Sequence, residues 1–221
     1  FDQSDVEVAV IETGLGGRLD ATNLIIAIVS VITNIGLDHM ALLGDTLPKI
    51  AAEKAGIIKK SIPVVIGEKS DEYNHVFDQA ATAMMSKIVY AENDFACINH
   101  STEGEFQKFS IQRHRDNKVF NLELDLTGNY QVHNILTAIA VIDLLHQETP
   151  LTISLRALTE GMRTVASGTA LQGRWQKLGD KPLTICDTGH NAHGIRYVAE
   201  QLAATPHRDL YCCLLYTSPS P

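Results

Sequence analysis

The sequence predicts an α/β fold built on a parallel sheet, and three observations carry that prediction. Over the first 86 residues, apolar β-branched runs of the kind covered on both faces alternate with helical periodicity. Polar clusters stand at the ends of those runs, where open α/β sheets place ligand chemistry. After Lys87 the texture changes to short alternating segments split by Gly, Asn and Asp, which adds a small antiparallel sheet with one wet face.

Residues 6–11 (Val6, Val8, Val10, Ile11) read as the first strand. It runs into Glu12, Thr13, Gly14, Leu15, Gly16, Gly17, Arg18, Leu19, Asp20, Ala21, Thr22 and Asn23, three glycines set among four kinds of polar side chain. Glycine there permits positive φ and close approach to the main chain. Residues 25–32 read as a second buried strand ending in Thr33, Asn34, Ile35, Gly36, Leu37, Asp38 and His39. A helix follows over 47–58, with Ile50, Ala51, Ala55 and Ile58 on one face. Asp45 or Thr46 would cap it, and Pro48 suits its first turn. A strand at 62–66 and a helix at 71–86 complete the alternation.

Segments 88–90, 95–98, 106–112 and 119–126 make up the expected antiparallel sheet. His100, Arg113, His114 and Arg115 lie in this part and read as solvated or packing residues. Helices are expected at 134–146 and 154–162. Residues 165–169 have the composition of a linker, so a domain boundary is placed near residue 167, dividing 1–166 from 167–221. The second unit then brings Gly173 and Arg174, a turn at Gly179 and Asp180, a strand at 183–186, the polar run from Asp187 to Asn191, and a helix at 195–203 with Asn191 or His193 near its start. Strand, polar turn and helix in that order suggest the start of a dinucleotide-type fold. Residues 209–216 begin as another strand.

The 221 residues suffice for one large domain or two small ones. A net charge of −8 argues against a general nucleic-acid-binding surface. Four cysteines (Cys97, Cys186, Cys212, Cys213) show neither metal-type spacing nor a disulfide framework, which suits a reduced, cytoplasmic protein. No apolar run approaches the roughly 18 residues of a membrane span. There is no initiator Met, and a buried-type strand begins almost at once, so a fragment is expected. Residues 214–221 resemble translated sequencing adapter and are expected to be non-native.

Four polar clusters could carry chemistry. Glu12 stands with Arg18, Asp20 and Asn23; Asp38 and His39 precede Glu53 and Lys54 of the next helix; Gly128, Tyr130, Gln131 and Asn134 surround a helix start; Arg174 stands with Asp187, His190 and Asn191. A carboxylate and an imidazole on neighbouring strand ends can hold a hard divalent cation, although imidazole is an unusual ligand for Mg²⁺ and His39 alone also reads as a hydrogen-bonding histidine. Lys54 alone reads as a solvated lysine. Arg174 could reach a phosphate as a bidentate donor, and Asp187 a ribose diol. Together they suggest a nucleotide phosphate and a metal held between two domains. No phosphate-binding loop of the Gly-x-x-x-x-Gly-Lys-Ser/Thr type is present, nor a recognisable Ser-His-Asp or Cys-His signature.

In this order the clusters resemble the folylpolyglutamate synthase/dihydrofolate synthase family of Mur-type ligases. The run from Glu12 to Asn23 and the run from Thr33 to His39 carry most of the resemblance; Leu43 to Thr46, Glu53 to Ile57, Gly128 to Asn134, Gly173-Arg174 and Asp187 to Asn191 extend it over about residues 5 to 210. It implies a partial P-loop-NTPase-like central domain, N-terminally truncated, followed by the truncated start of a Rossmann-like C-terminal domain. The implied activity is ATP-dependent joining of L-glutamate to a folate, and also to dihydropteroate, through an acyl phosphate. Glu12 and His39 match Mg²⁺ ligands, Lys54 a carbamylated lysine, and Arg18, Asp20 and Asn23 the folate-side wall. Gln131, Asn134, Arg174 and Asp187 match nucleotide-binding positions; Arg174, His190 and Lys54 match catalytic ones. Tyr130 departs from a common His, and Gln172 from a common Pro. The implied partners are small molecules, with no nucleic acid or membrane, and the full-length protein is expected to be monomeric. The phosphate loop would lie upstream of Phe1, so this chain alone is expected to be inactive. Alternatives are another Mur-type ligase acting on a cell-wall precursor or cyanophycin, and a non-catalytic binding module.

Overall fold

A computed structural model describes residues 6–214. The parallel sheet contains β1 (Ser30–Ile32), β2 (Val64–Ile66) and β3 (Ile88–Tyr90), hydrogen-bonded in that order. Between β1 and β2 come α1 (Met40–Leu43) and α2 (Leu47–Ala55), and between β2 and β3 comes α3 (Asn74–Ala83). Parallel neighbours require such crossovers. Thr46 caps α2 through its side chain, and Pro48 occupies the first turn, as expected. A short α4 (Ala91–Asp94) leads to the antiparallel sheet of β4 (Phe95–Glu103), β5 (Phe106–Arg113) and β6 (Val119–Leu124). Then follow α5 (Gln131–Glu148), α6 (Leu155–Arg163), α7 (Val165–Thr169), the hairpin of β7 (Gln176–Asp180) with β8 (Leu183–Cys186), and α8 (Ala192–Ala204).

The central strand β2 shows why both faces must be apolar. Val64 and Ile66 face one core with Ile50, Ala51, Phe77 and Ala81 of α2 and α3. Val65, with the opposite pleat, faces a second core with Ile135 and Ile139 of α5 and Phe109 and Ile111 of β5. All three valine and isoleucine side chains of β2 are fully buried. The antiparallel sheet alternates buried and less buried positions, as a sheet with one wet face should. In it His100 stacks on Phe109, and Arg113 and Arg115 both pair with Asp143. His114 hydrogen-bonds to the Asn93 carbonyl, so all four residues pack or pair as expected.

Several expectations are corrected. Residues 6–11 form no strand and lie largely exposed, with Val10 91 % accessible. Of 25–32 only Ser30–Ile32 pairs; Ile26 and Ile28 are exposed. Apolar β-branched composition supplies propensity, but a strand also needs an edge to bond, and neither segment finds one among the described residues. Residues 88–90 join the parallel sheet instead of the antiparallel one. Residues 165–169 form α7, held because the Ala166 and Ser167 amides donate to the Asp125 carboxylate. Gly179 and Asp180 belong to β7, and the chain reverses at Lys181 and Pro182 instead. The strand–polar turn–helix succession holds at β8 and α8, with Asn191 as the cap. Residues 209–214 form no strand, and the rest of that expected strand, like the suspected adapter beyond Leu214, lies outside the described residues.

Candidate active site

The glycine-rich run folds into a self-braced turn. The Asp20 carboxylate accepts from the Gly14, Leu15 and Thr22 amides at 2.9, 3.0 and 2.9 Å and from the Thr22 hydroxyl at 2.5 Å. The Thr22 hydroxyl bond, then the Leu15 and Thr22 amides, hold its pKa at about 2. The turn docks on the C-terminal end of α2: a Cβ on Gly17 would sit 2.7 Å from Ile57 and 3.0 Å from the Lys54 carbonyl, and one on Gly56 2.4 Å from the Arg18 Cα. Gly16 has φ +65°, and a Cβ there would lie 2.8 Å from Leu43. Arg18 forks onto Glu53 (Nη2 to Oε1 2.9 Å), and Asn23 donates to the Arg18 and Gly56 carbonyls at 3.0 and 3.2 Å. Arg18, Asp20 and Asn23, expected to face a substrate, therefore also brace the loop. Glu12 is exposed on the segment before the turn and accepts no side-chain hydrogen bond from a described residue.

The loop after β1 meets the start of α8. Asp38, His39 and His190 bring one ligand atom each to within 4.8 Å of one another. The Asp38 carboxylate also accepts from the Asn191 side chain at 2.9 Å, across 153 positions of sequence. Asn191 uses its other end to cap α8, its Oδ1 accepting from the Gly194 amide at 2.8 Å. His193 packs against Gly36. Burial pushes the Lys54 ammonium below its usual pKa, and the attraction of Asp38 opposes that shift. Burial is also the largest influence on Asp38, pushing its pKa up; the Asn191 bond, the His39 amide and the charges of His39 and His190 together outweigh it and leave the net value lowered.

A second grouping ties α5 to the hairpin. Asp187 accepts from the Tyr130 hydroxyl at 3.1 Å, the Trp175 amide at 2.7 Å and the Gly189 amide at 2.7 Å. Arg174 is exposed, and its guanidinium donates to the Thr188 hydroxyl. Gln131 is buried and accepts from the Asn134 side chain at 2.8 Å, on the first turn of α5. Tyr197 of α8 lies against Tyr130, His133 and His193. The structure thus brings His39 and His190 together at Asp38 with Lys54 feeling the same charge, sets Arg174 and Asp187 in a second grouping, keeps Gln131 and Asn134 on the first turn of α5, and leaves Glu12 outside the Asp38 cluster. Asp38 and Asn191 stood in the expected polar clusters without a role of their own, and Tyr197 was not among the expected site residues. Spacing alone could not reveal a contact between residues 38 and 191, whereas the adjacency of Asp38 to His39 was a usable signal.

A parallel sheet flanked by helices, with polar loops at the ends of its strands, is the arrangement in which α/β proteins place ligand chemistry. The Mur ligase middle domain matches residues 1–142, and the chain belongs to the Mur ligase family. It is 35 % identical to folylpolyglutamate synthase of Lacticaseibacillus casei over 195 residues, covering 88 % of this chain and 44 % of that protein. It is 32 % identical to the dihydrofolate synthase/folylpolyglutamate synthase of Bacillus subtilis, covering 89 % and 45 %. Its fold is similar to the apo form of L. casei FPGS, with TM-score 0.83, 32 % identity, and 94 % of this chain and 50 % of that chain covered. It is likewise similar to the Mycobacterium tuberculosis folylpolyglutamate synthase solved with ADP and AMPPCP, with TM-score 0.80, 30 % identity and 92 % and 45 % covered. The chain spans slightly under half the length of the curated relatives it matches.

Proposed function

We propose that this chain forms much of the catalytic core of an ATP-dependent ligase that joins L-glutamate to a folate and to dihydropteroate. The observation that carries the reading is the convergence of Asp38, His39, His190 and Lys54 where the two units meet. The similar folylpolyglutamate synthases, one of them solved as an FPGS–AMPPCP–folate complex, support it. In the proposed reaction the γ-phosphoryl group of ATP passes to the substrate carboxylate, releasing ADP. The glutamate amine then attacks the acyl carbon, and phosphate leaves with formation of the amide.

Each residue has a task in this scheme. Arg174 offers charge to phosphate oxygens, and Asp187 keeps acceptor capacity for a ribose hydroxyl. Gln131 and Asn134 form the nucleotide-side wall, and Arg18, Asp20 and Asn23 shape the folate-side wall. Glu12 and His39 are the proposed Mg²⁺ ligands; of the two only His39 lies in the Asp38 cluster here, where Asp38 adds the hard oxygen Mg²⁺ prefers and the cation would keep oxygens of water or phosphate for its other positions. Bound there, the cation supplies charge neutralisation for the phosphates. Burial of Lys54 favours its neutral amine, the form that adds carbon dioxide to give a carbamate and a proton. His190, close to Asp38, is the residue proposed nearest the acyl centre.

We place the domain boundary near residue 167, and we assign the protein to the cytoplasm as a monomer; among the described residues no helix is long and apolar enough to cross a membrane. The test is ADP release by the protein expressed within its complete reading frame, with L-glutamate and either dihydropteroate, a reduced folate or a nucleotide-peptide acceptor. Release that depends on a folate or pteroate acceptor supports the reading. Dependence on the nucleotide-peptide would make this a different Mur-type ligase, and release with none of them would leave a binding module.

A further inference from the structure

The main chain from Leu126 to Asn129 leads from β6 into the first turn of α5, where Gln131 and Asn134 stand. It is a loop without secondary structure of its own, so its polar groups need partners from elsewhere. Two glutamines from opposite sides provide them in alternation. Gln107 of β5, fully buried, donates both hydrogens of its side-chain amide, to the Leu126 carbonyl at 2.9 Å and the Gly128 carbonyl at 2.8 Å. Gln201 of α8 donates to the Thr127 carbonyl at 2.7 Å and accepts from the Asn129 amide at 2.8 Å.

The donor count sets the chemistry. With both Gln107 hydrogens spent on carbonyls, its Oε1 must accept, and the atom facing it at 2.6 Å is His100 Nε2, which therefore carries a proton. The inner glutamine is thus locked in one orientation from behind. The outer one is partly exposed and belongs to α8, so its two bonds exist only when α8 is seated on the α/β unit. The loop also reaches the Asp187 contacts directly, because the Thr127 hydroxyl donates to the Trp175 carbonyl at 3.1 Å.

We propose that Gln107 and Gln201 are positioning residues for the first turn of α5: Gln107 fixes the loop permanently, and Gln201 fixes it conditionally, transmitting the seating of α8 to the nucleotide-side wall. The consequence for nucleotide affinity rests on the ligase reading above; the consequence for the loop does not.

Gln201→Met keeps the length and removes both bonds, whereas Gln201→Glu keeps the acceptor for Asn129 and loses the donor for Thr127. The experiment uses the protein in its complete reading frame and measures amide hydrogen exchange at Asn129 alongside the Kd for AMPPCP. In Gln201→Met, Asn129 exchange is expected to accelerate and the Kd to rise about tenfold, the scale of two lost net hydrogen bonds, with the thermal midpoint held. In Gln201→Glu, Asn129 is expected to stay protected while the Kd still rises. Unchanged Asn129 exchange in Gln201→Met would overturn the proposal, as would faster exchange accompanied by an unchanged Kd. Absence of AMPPCP binding by the parent protein would instead count against the ligase reading, and the exchange result would then decide the loop on its own.

Discussion

Asp20 shows how one side chain can organise a turn. It accepts four hydrogen bonds from residues between Gly14 and Thr22, so its charged form is favoured in the folded state and its pKa falls to about 2. A carboxylate whose folded pKa is depressed contributes stability above its unfolded pKa, near 4, and that contribution disappears as the pH falls from about 4 through about 2. Asp20→Asn should therefore lower the urea midpoint at neutral pH and flatten its decline between about pH 4 and pH 2 relative to the parent; matching acid limbs would contradict the assignment. Asn191 offers a second separation at this scale, because one end caps α8 and the other reaches Asp38. Asn191→Asp keeps the cap and sets two carboxylates together, so α8 should keep its amide protection while, on the proposed ligase reading, ADP release falls. Asn191→Ala should lose both.

Among the elements, the glycine turn and α2 form one unit because Gly17 and Gly56 let two main chains touch. A methyl group at Gly56 would overlap the backbone of Arg18, which cannot swing aside as a flexible side chain can. Gly56→Ala should thus separate the turn from α2 and expose the Arg18 amide, which now donates to the Glu53 carbonyl at 2.9 Å. Exchange at that amide is the measurement. On α3, Phe77 is fully buried between the helix and β2, with Tyr73 edge-on at 5.8 Å. Phe77→Ala should cost about 3–5 kcal/mol in chemical denaturation, the range for truncating a core aromatic. The Arg18–Glu53 fork is more exposed and screened by solvent, so removing it should lower the denaturation midpoint far less than Phe77→Ala.

Across the whole molecule, the α8 unit is held to the α/β unit mainly by polar contacts: Asn191 to Asp38, Gln201 to the loop before α5, and Asp187 to Tyr130. The helix α8 itself buries no residue fully, and Leu178, Leu183 and Ile195 remain exposed. Such a polar seam resembles an interface between mobile domains more than a shared core. Tyr130→Phe removes one seam bond without removing the ring that lies against Tyr197. It should leave the thermal midpoint nearly unchanged and, on the proposed ligase reading, raise the KM for ATP a few-fold, about the effect of one net hydrogen bond.

The sequence by itself determined the alternation of strand and helix, a helix start at Asp45 or Thr46 and another near Asn191 or His193, and the polar runs that resemble the ligase family. These are local properties, written in propensity, period and side-chain type within a few residues. Tertiary structure decided which apolar runs became strands: residues 6–11 and 25–29 have the composition but no neighbouring edge among the described residues, while 88–90 found one beside β2. It also decided what the polar residues do. Asp20 and Asn23 turn inward to brace a loop, Asp38 meets Asn191, and Gln107 and Gln201 share one stretch of main chain, because hydrogen bonds between distant residues depend on the placement of whole elements and leave no periodic trace in the chain.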